Sequence, residues 1–108
     1  MAGKHIKMLL SNIIYLEAKG KYVCVGTPRK TYMALTSLNH AERILPPELF
    51  IRIHRCYIVS LLHTSEFDKD TVKVGSKEFA IGKQYKGILQ EKVVTLSSNV
   101  MQEQKMDN

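Results

Sequence analysis

Short apolar, β-prone runs broken by Gly, Pro and charged pairs set the pattern of this chain. Residues 6–9 and 13–18 are apolar and β-prone, with Ser11-Asn12 as the bend between them. Lys19-Gly20 punctuates the chain, and Lys21-Tyr22-Val23-Cys24-Val25 reads as the return strand of a hairpin. Thr27-Pro28-Arg29-Lys30 is a turn, and Thr31 to Leu35 a third strand. Thr36 or Ser37 caps a short helix whose apolar face is Leu38, Ala41, Ile44 and Leu45. Pro46-Pro47 ends that helix. Residues 50–59 read as strand, break and strand. Glu66-Phe67-Asp68-Lys69-Asp70 is an exposed loop leading into a strand from Thr71 to Val74, and Gly75-Ser76 turns the chain into a return strand, Lys77 to Ile81. Beyond Gly82 a final short helix places Tyr85, Ile88 and Leu89 on one face. The sum is a mainly β domain with two short helices over residues 1–94, followed by a polar tail at 95–108 that lacks periodicity.

One run does not fit a plain strand. Phe50-Ile51-Arg52-Ile53-His54-Arg55-Cys56-Tyr57-Ile58-Val59 sets cations among β-branched and aromatic residues. With Ile51 and Ile53 inward, alternation turns Arg52 and His54 outward and leaves Arg55 on the inner phase. An unpaired buried guanidinium is too costly to keep. Either Arg55 has a buried carboxylate partner, for which Glu17 is a candidate, or the strand breaks near His54 and displays Arg55 at a turn or bulge.

Charge sharpens the picture. The 108 residues carry 16 Lys and Arg against 10 Asp and Glu, a formal net charge of +6 with a pI near 9.4. Residues 1–30 hold six cations and one anion. Such a domain suits a polyanion, nucleic acid first and an anionic membrane second. With 44% hydrophobic residues the chain is one ordinary globular domain, and it has no apolar run of bilayer length and no signal-peptide pattern. Cys24 and Cys56 lie far apart without metal-ligand spacing, so two reduced thiols in a cytoplasmic protein are expected.

Catalytic chemistry finds no foothold. Either thiol is better read as a small core hydrophobe than as a nucleophile, and His5, His40, His54 and His63 are scattered. There is no Gly-rich phosphate loop. No catalytic residue, metal ligand or cofactor site is expected. Cationic display is better supported. Lys19 and Lys21 flank Gly20 at a hairpin tip, with Tyr22 beside them either stacking there or joining a strand-face core. Lys83 and Lys86 point away from the apolar face of the final helix, and Lys83 sits in its first turn, where the macrodipole disfavours a cation.

Taken in order, Ile14-Tyr15-Leu16-Glu17-Ala18, Gly20-Lys21-Tyr22-Val23, the capped helix, the segment 50–59, and Phe79-Ala80-Ile81-Gly82-Lys83-Gln84-Tyr85-Lys86 resemble the LytTR-type DNA-binding domain of bacterial response regulators, over roughly residues 6–93. The resemblance implies an elongated fold of packed antiparallel sheets and double-stranded DNA as partner, bound through loops entering successive major grooves. By motif position it implies one groove contact at Lys19 to Tyr22, a central contact at Arg55 and a second groove contact at Lys83; Lys19, Lys21 and Lys86 are expected to anchor phosphates. Cys56 and Ser60 stand where the family usually has serine and asparagine, and Lys83 where it often has arginine. Lysine is a point charge without arginine's fork, which weakens bidentate reading of guanine there. Paired repeat sites are implied as targets, for an isolated domain that is monomeric or weakly self-associating. The chain shows no receiver domain, so it reads as a stand-alone member or as part of a larger regulator. The rival reading is a β-rich protein-interaction or regulatory module whose positive charge is only a surface property.

Overall fold

The structure is a computed structural model describing residues 5–93. The strands are β1 (Tyr15–Lys19), β2 (Tyr22–Gly26), β3 (Thr31–Leu35), β4 (Phe50–His54), β5 (Tyr57–Ser60), β6 (Thr64–Phe67), β7 (Thr71–Val74) and β8 (Lys77–Ala80), with one helix, α1 (Leu38–Ile44), between β3 and β4. Short 3₁₀ turns occupy Leu10–Asn12 and Lys83–Tyr85, and residues 88–93 are helical. The strands form a five-stranded antiparallel sheet in the order β3-β2-β1-β5-β4 and a three-stranded one in the order β6-β7-β8. The body is elongated, 58 × 28 × 22 Å along its principal axes.

The central strands are buried on both faces, and this explains their nearly unbroken apolar sequences. One face gives Tyr15, Ile51, Ile53 and Val59 to a core shared with Val72, Val74 and Phe79 of the small sheet and with Ile81 and Leu89. The other face gives Leu16, Val23, Val25, Phe50 and Ile58 to a second core under Leu38 and Ala41 of α1. The layers are therefore helix, large sheet and small sheet.

Several expectations need correction. Residues 5–9 form no strand: Ile6 and Leu9 are exposed and only Met8 packs on the second core, so nothing rewards an added edge. Ser37 caps α1 as anticipated, its Oγ accepting the His40 N–H at 3.1 Å. Ile44, however, is 67% exposed. It lies about 120° around the helix from Leu38 at 3.6 residues per turn, outside the narrow arc that Leu38 and Ala41 define. The carboxylate loop is shorter than expected, because Glu66 and Phe67 belong to β6. That strand is polar and edge-lying, so its sequence carries no alternation. The final helix is broken: the 3₁₀ turn ends at Lys86, whose φ of −61° and ψ of 135° are extended, and Gly87 follows at φ +88°. The macrodipole reading at Lys83 therefore does not apply. The tail expected over 95–108 lies outside the described residues.

Candidate nucleic-acid interface

Antiparallel pairing brings two turns to one end of the large sheet. In the β1–β2 hairpin Lys19 pairs with Tyr22, leaving Gly20-Lys21 as a two-residue loop. Gly20 adopts φ +60°, which a side chain would resist, and a Cβ there would meet nothing within 4 Å. Lys19 and Lys21 are exposed, and Tyr22 is 44% exposed, so this tyrosine is not a core residue. Lys19 Nζ is 3.9 Å from Glu17, a loose surface pair.

The second turn, Arg55-Cys56, joins β4 to β5, with His54 paired to Tyr57. Between Arg52 and His54 the register shifts, making Ile53 the extra residue of a bulge. The bulge answers the question that alternation raised: Ile53 stays in the core with no exposure, while Arg55 is exposed at the turn. Glu17 is not its partner; the arginine held by a carboxylate is Arg52. Alternation sends Arg52 to the face opposite Ile51, as expected, but α1 covers that face. Its side chain is 10% exposed, and Nη1 donates to Glu42 Oε1 at 2.7 Å and to Asn39 Oδ1 at 3.0 Å. Nε donates to the His54 carbonyl at 2.8 Å and Nη2 to the Arg55 carbonyl at 2.6 Å. His54 Nδ1 accepts the Cys56 N–H at 3.0 Å, and the Ala18 N–H donates to the Cys56 carbonyl at 2.9 Å, tying this turn to the base of the first hairpin.

A third segment docks here. The Ile53 carbonyl accepts the Gly82 N–H at 2.7 Å. A Cβ on Gly82 would meet Tyr85 Cδ2 at 3.2 Å and His54 Cδ2 at 3.3 Å, tight contacts to which both rings would have to give. His54, Arg55, Gly82, Lys83, Gln84 and Tyr85 line one open cleft, which brings Arg55 and Lys83 together. The ring of His54 packs 4.9 Å from Tyr57, and Tyr57 lies 4.9 Å from Phe79, so the cleft floor is continuous with the aromatic core. Lys86 is placed differently. Its ammonium is paired with the Asp70 carboxylate of the β6–β7 turn. That turn is built by Asp68, whose Oδ1 accepts the Asp70 and Thr71 N–H groups at 2.8 Å each. These backbone hydrogen bonds hold the Asp68 carboxyl below its ordinary pKa of 3.8.

Sequence reasoning did not single out Gly82 or the clamp made by Arg52. The Gly82 signal was its place between strand and helix beside a cation. For Arg52 only the covering helix reveals the role. Among the described residues no group of three His, Cys, Asp or Glu side chains is arranged to hold a metal ion, and no helix is long and apolar enough to cross a membrane. Cys24 and Cys56 are free thiols.

A mainly β domain that offers basic turns from one end of a sheet has a surface suited to a polyanion. The family model of the LytTr DNA-binding domain matches residues 3–93, and the chain belongs to this family of DNA-binding domains. The chain is 42% identical over 59 residues to the CO-responsive transcriptional regulator RcoM of Rhodospirillum rubrum, a match covering 55% of this chain and 25% of that protein. It is 38% identical over 53 residues to the sensory transduction protein LytR of Staphylococcus epidermidis, covering 49% of this chain and 21% of that protein. These matches thus span a quarter or less of both relatives. A solved LytTr DNA-binding domain of a putative methyl-accepting/DNA response regulator from Bacillus cereus superposes with a TM-score of 0.75 at 25% identity, covering 86% of this chain and 91% of that one.

Proposed function

We propose that this chain binds double-stranded DNA in a sequence-specific manner as the output domain of a transcriptional regulator. In this reading the Lys19 to Tyr22 tip and the Lys83 segment enter successive major grooves, and Arg55 contacts the duplex between them. The observation that carries it is the joint placement of Arg55 and Lys83 in one cleft, cross-tied by backbone hydrogen bonds to the base of the Lys19–Lys21 hairpin. A site held by backbone presents its cations with little freedom to lose on binding.

Lys19 and Lys21 supply phosphate attraction, which positions the domain without reading sequence. Tyr22, half exposed beside Lys21, offers a ring face and a hydroxyl at the same tip. Arg55 and Lys83 reach base edges or adjacent phosphates, Arg55 with a bidentate fork and Lys83 as a point charge. Lys86 lies at the margin, because Asp70 already compensates its charge. Paired repeats are the proposed targets, with each copy of the domain occupying one repeat.

Selecting bound duplexes from a random-sequence pool, then titrating the winner and a scrambled control at two salt concentrations, tests the reading. Enrichment of a common sequence, with affinity falling as salt rises, is the expected result. Retention of no duplex at either salt concentration would favour a protein-interaction module instead.

A further inference from the structure

We infer that Arg52 is a positioning residue for DNA recognition, setting the Arg55 turn from below and making α1 part of the recognition machinery. This rests on the DNA-binding reading above. The Arg55-Cys56 loop contains no glycine, and neither residue has a positive φ. Two-residue hairpin loops favour primed turns with positive φ, because these match the twist of the flanking strands. The Arg55 turn lacks that intrinsic preference, so its geometry depends on external hydrogen bonds.

Arg52 supplies two of them. Its guanidinium reaches the carbonyls of His54 and Arg55, the residues on either side of the peptide bond that leads into the displayed side chain. The same planar group is anchored by Glu42 and Asn39 on α1. None of the residues lining the cleft comes from α1. The helix packs on β4 and β5 through Leu38 and Ala41, and its hydrogen-bonded link to the Arg55 turn runs through the guanidinium. A lysine at this position keeps the charge and can still meet Glu42, but one ammonium cannot span both turn carbonyls and the helix acceptors.

The test uses the wild-type chain, Arg52→Lys, Glu42→Ala, Arg55→Ala and the double variant Arg52→Lys/Arg55→Ala. Each is titrated against the duplex that the wild-type chain selects from a random pool. Arg52→Lys is expected to weaken binding about tenfold when Arg55 is present and to add nothing in the Arg55→Ala background, the non-additivity of groups acting as one unit. Glu42→Ala, on a half-exposed helix face, is expected to weaken binding in the same direction by less. Amide exchange gives a readout without DNA: the Cys56 N–H exchanges faster in Arg52→Lys while Val59 and Val72 keep their protection. Equal losses with and without Arg55, or an Arg52→Lys chain that binds and exchanges like wild type, overturn the inference and leave the DNA-binding reading intact. A wild-type chain that retains no duplex overturns both.

Discussion

Gly82 donates its N–H to the Ile53 carbonyl at 2.7 Å, using an oxygen at the register break between β4 and β5. That bond fastens the segment carrying Lys83 to the strand that ends at Arg55. Gly82→Ala would push a methyl against Tyr85 and His54, at contacts of 3.2–3.4 Å. The expected cost is about 1–2 kcal/mol of stability, typical of overpacking, with a larger loss of specific than of non-specific DNA affinity. Thermal melting and paired titrations measure both; equal losses on specific and scrambled duplex would count against the cleft.

Arg55 is exposed and its side chain makes no hydrogen bond or ion pair among those of the described residues. Arg55→Ala is therefore expected to leave the melting temperature within about 2–4 °C, the scale of a neutral surface change. Binding to the selected duplex is expected to fall by about 1–3 kcal/mol. A melted variant would show instead that the turn depends on the side chain.

Lys83 and Lys86 carry the same charge, but among the described residues only Lys86 is compensated, by Asp70. Lys83→Ala is expected to reduce the slope of log affinity against log salt by about one, as loss of one phosphate contact does. Lys86→Ala is expected to change it less. Asp70→Asn frees Lys86 and is expected to strengthen non-specific binding. Salt titrations of the three variants read this directly, and equal slopes for the two lysine variants would place Lys86 fully in the interface.

Asp68 sets an acid limit on the β6–β7 turn. Its carboxyl is held below 3.8 chiefly by the Asp70 N–H and then by the Thr71 N–H, so the folded state prefers the ionised form. A depressed folded value contributes stability above the unfolded value and loses it as pH falls through the folded one. The contribution is therefore complete above about pH 4–5 and fades on further acidification. In Asp68→Ala the melting temperature is expected to be lower at neutral pH, with the gap to wild type closing below pH 4. A gap independent of pH would assign the effect to something other than ionisation.

The hairpin at Gly20-Lys21 was legible because a glycine between two apolar, β-prone runs is a local turn signal. The turn at Arg55 was legible for a different reason: alternation put a cation where no cation can stay. What escaped was long-range. Nothing near Arg52 says that a helix ten residues earlier will cover its face and supply Glu42, and nothing near Lys86 announces Asp70, sixteen residues before it. β6 escaped because Thr64-Ser65-Glu66-Phe67 is a polar edge whose pairing with β7 is decided by the neighbour. The mainly β fold of packed antiparallel sheets was legible from the chain, whereas the side-chain pairs that join distant elements across it were not.

Pairing of β1 with β5 has a metric consequence. The first hairpin tip and the Arg55 turn sit on strand pairs whose midlines are two strand spacings apart, roughly 10 Å for strands about 4.8 Å apart. Peptide hydrogen bonds set that interval, and no side chain at either tip can stretch it. In the proposed mode of binding, substitutions at the tips would change what is touched, but the sheet works as a ruler whose graduations are its strands, so the distance along a duplex at which touching occurs would stay the same.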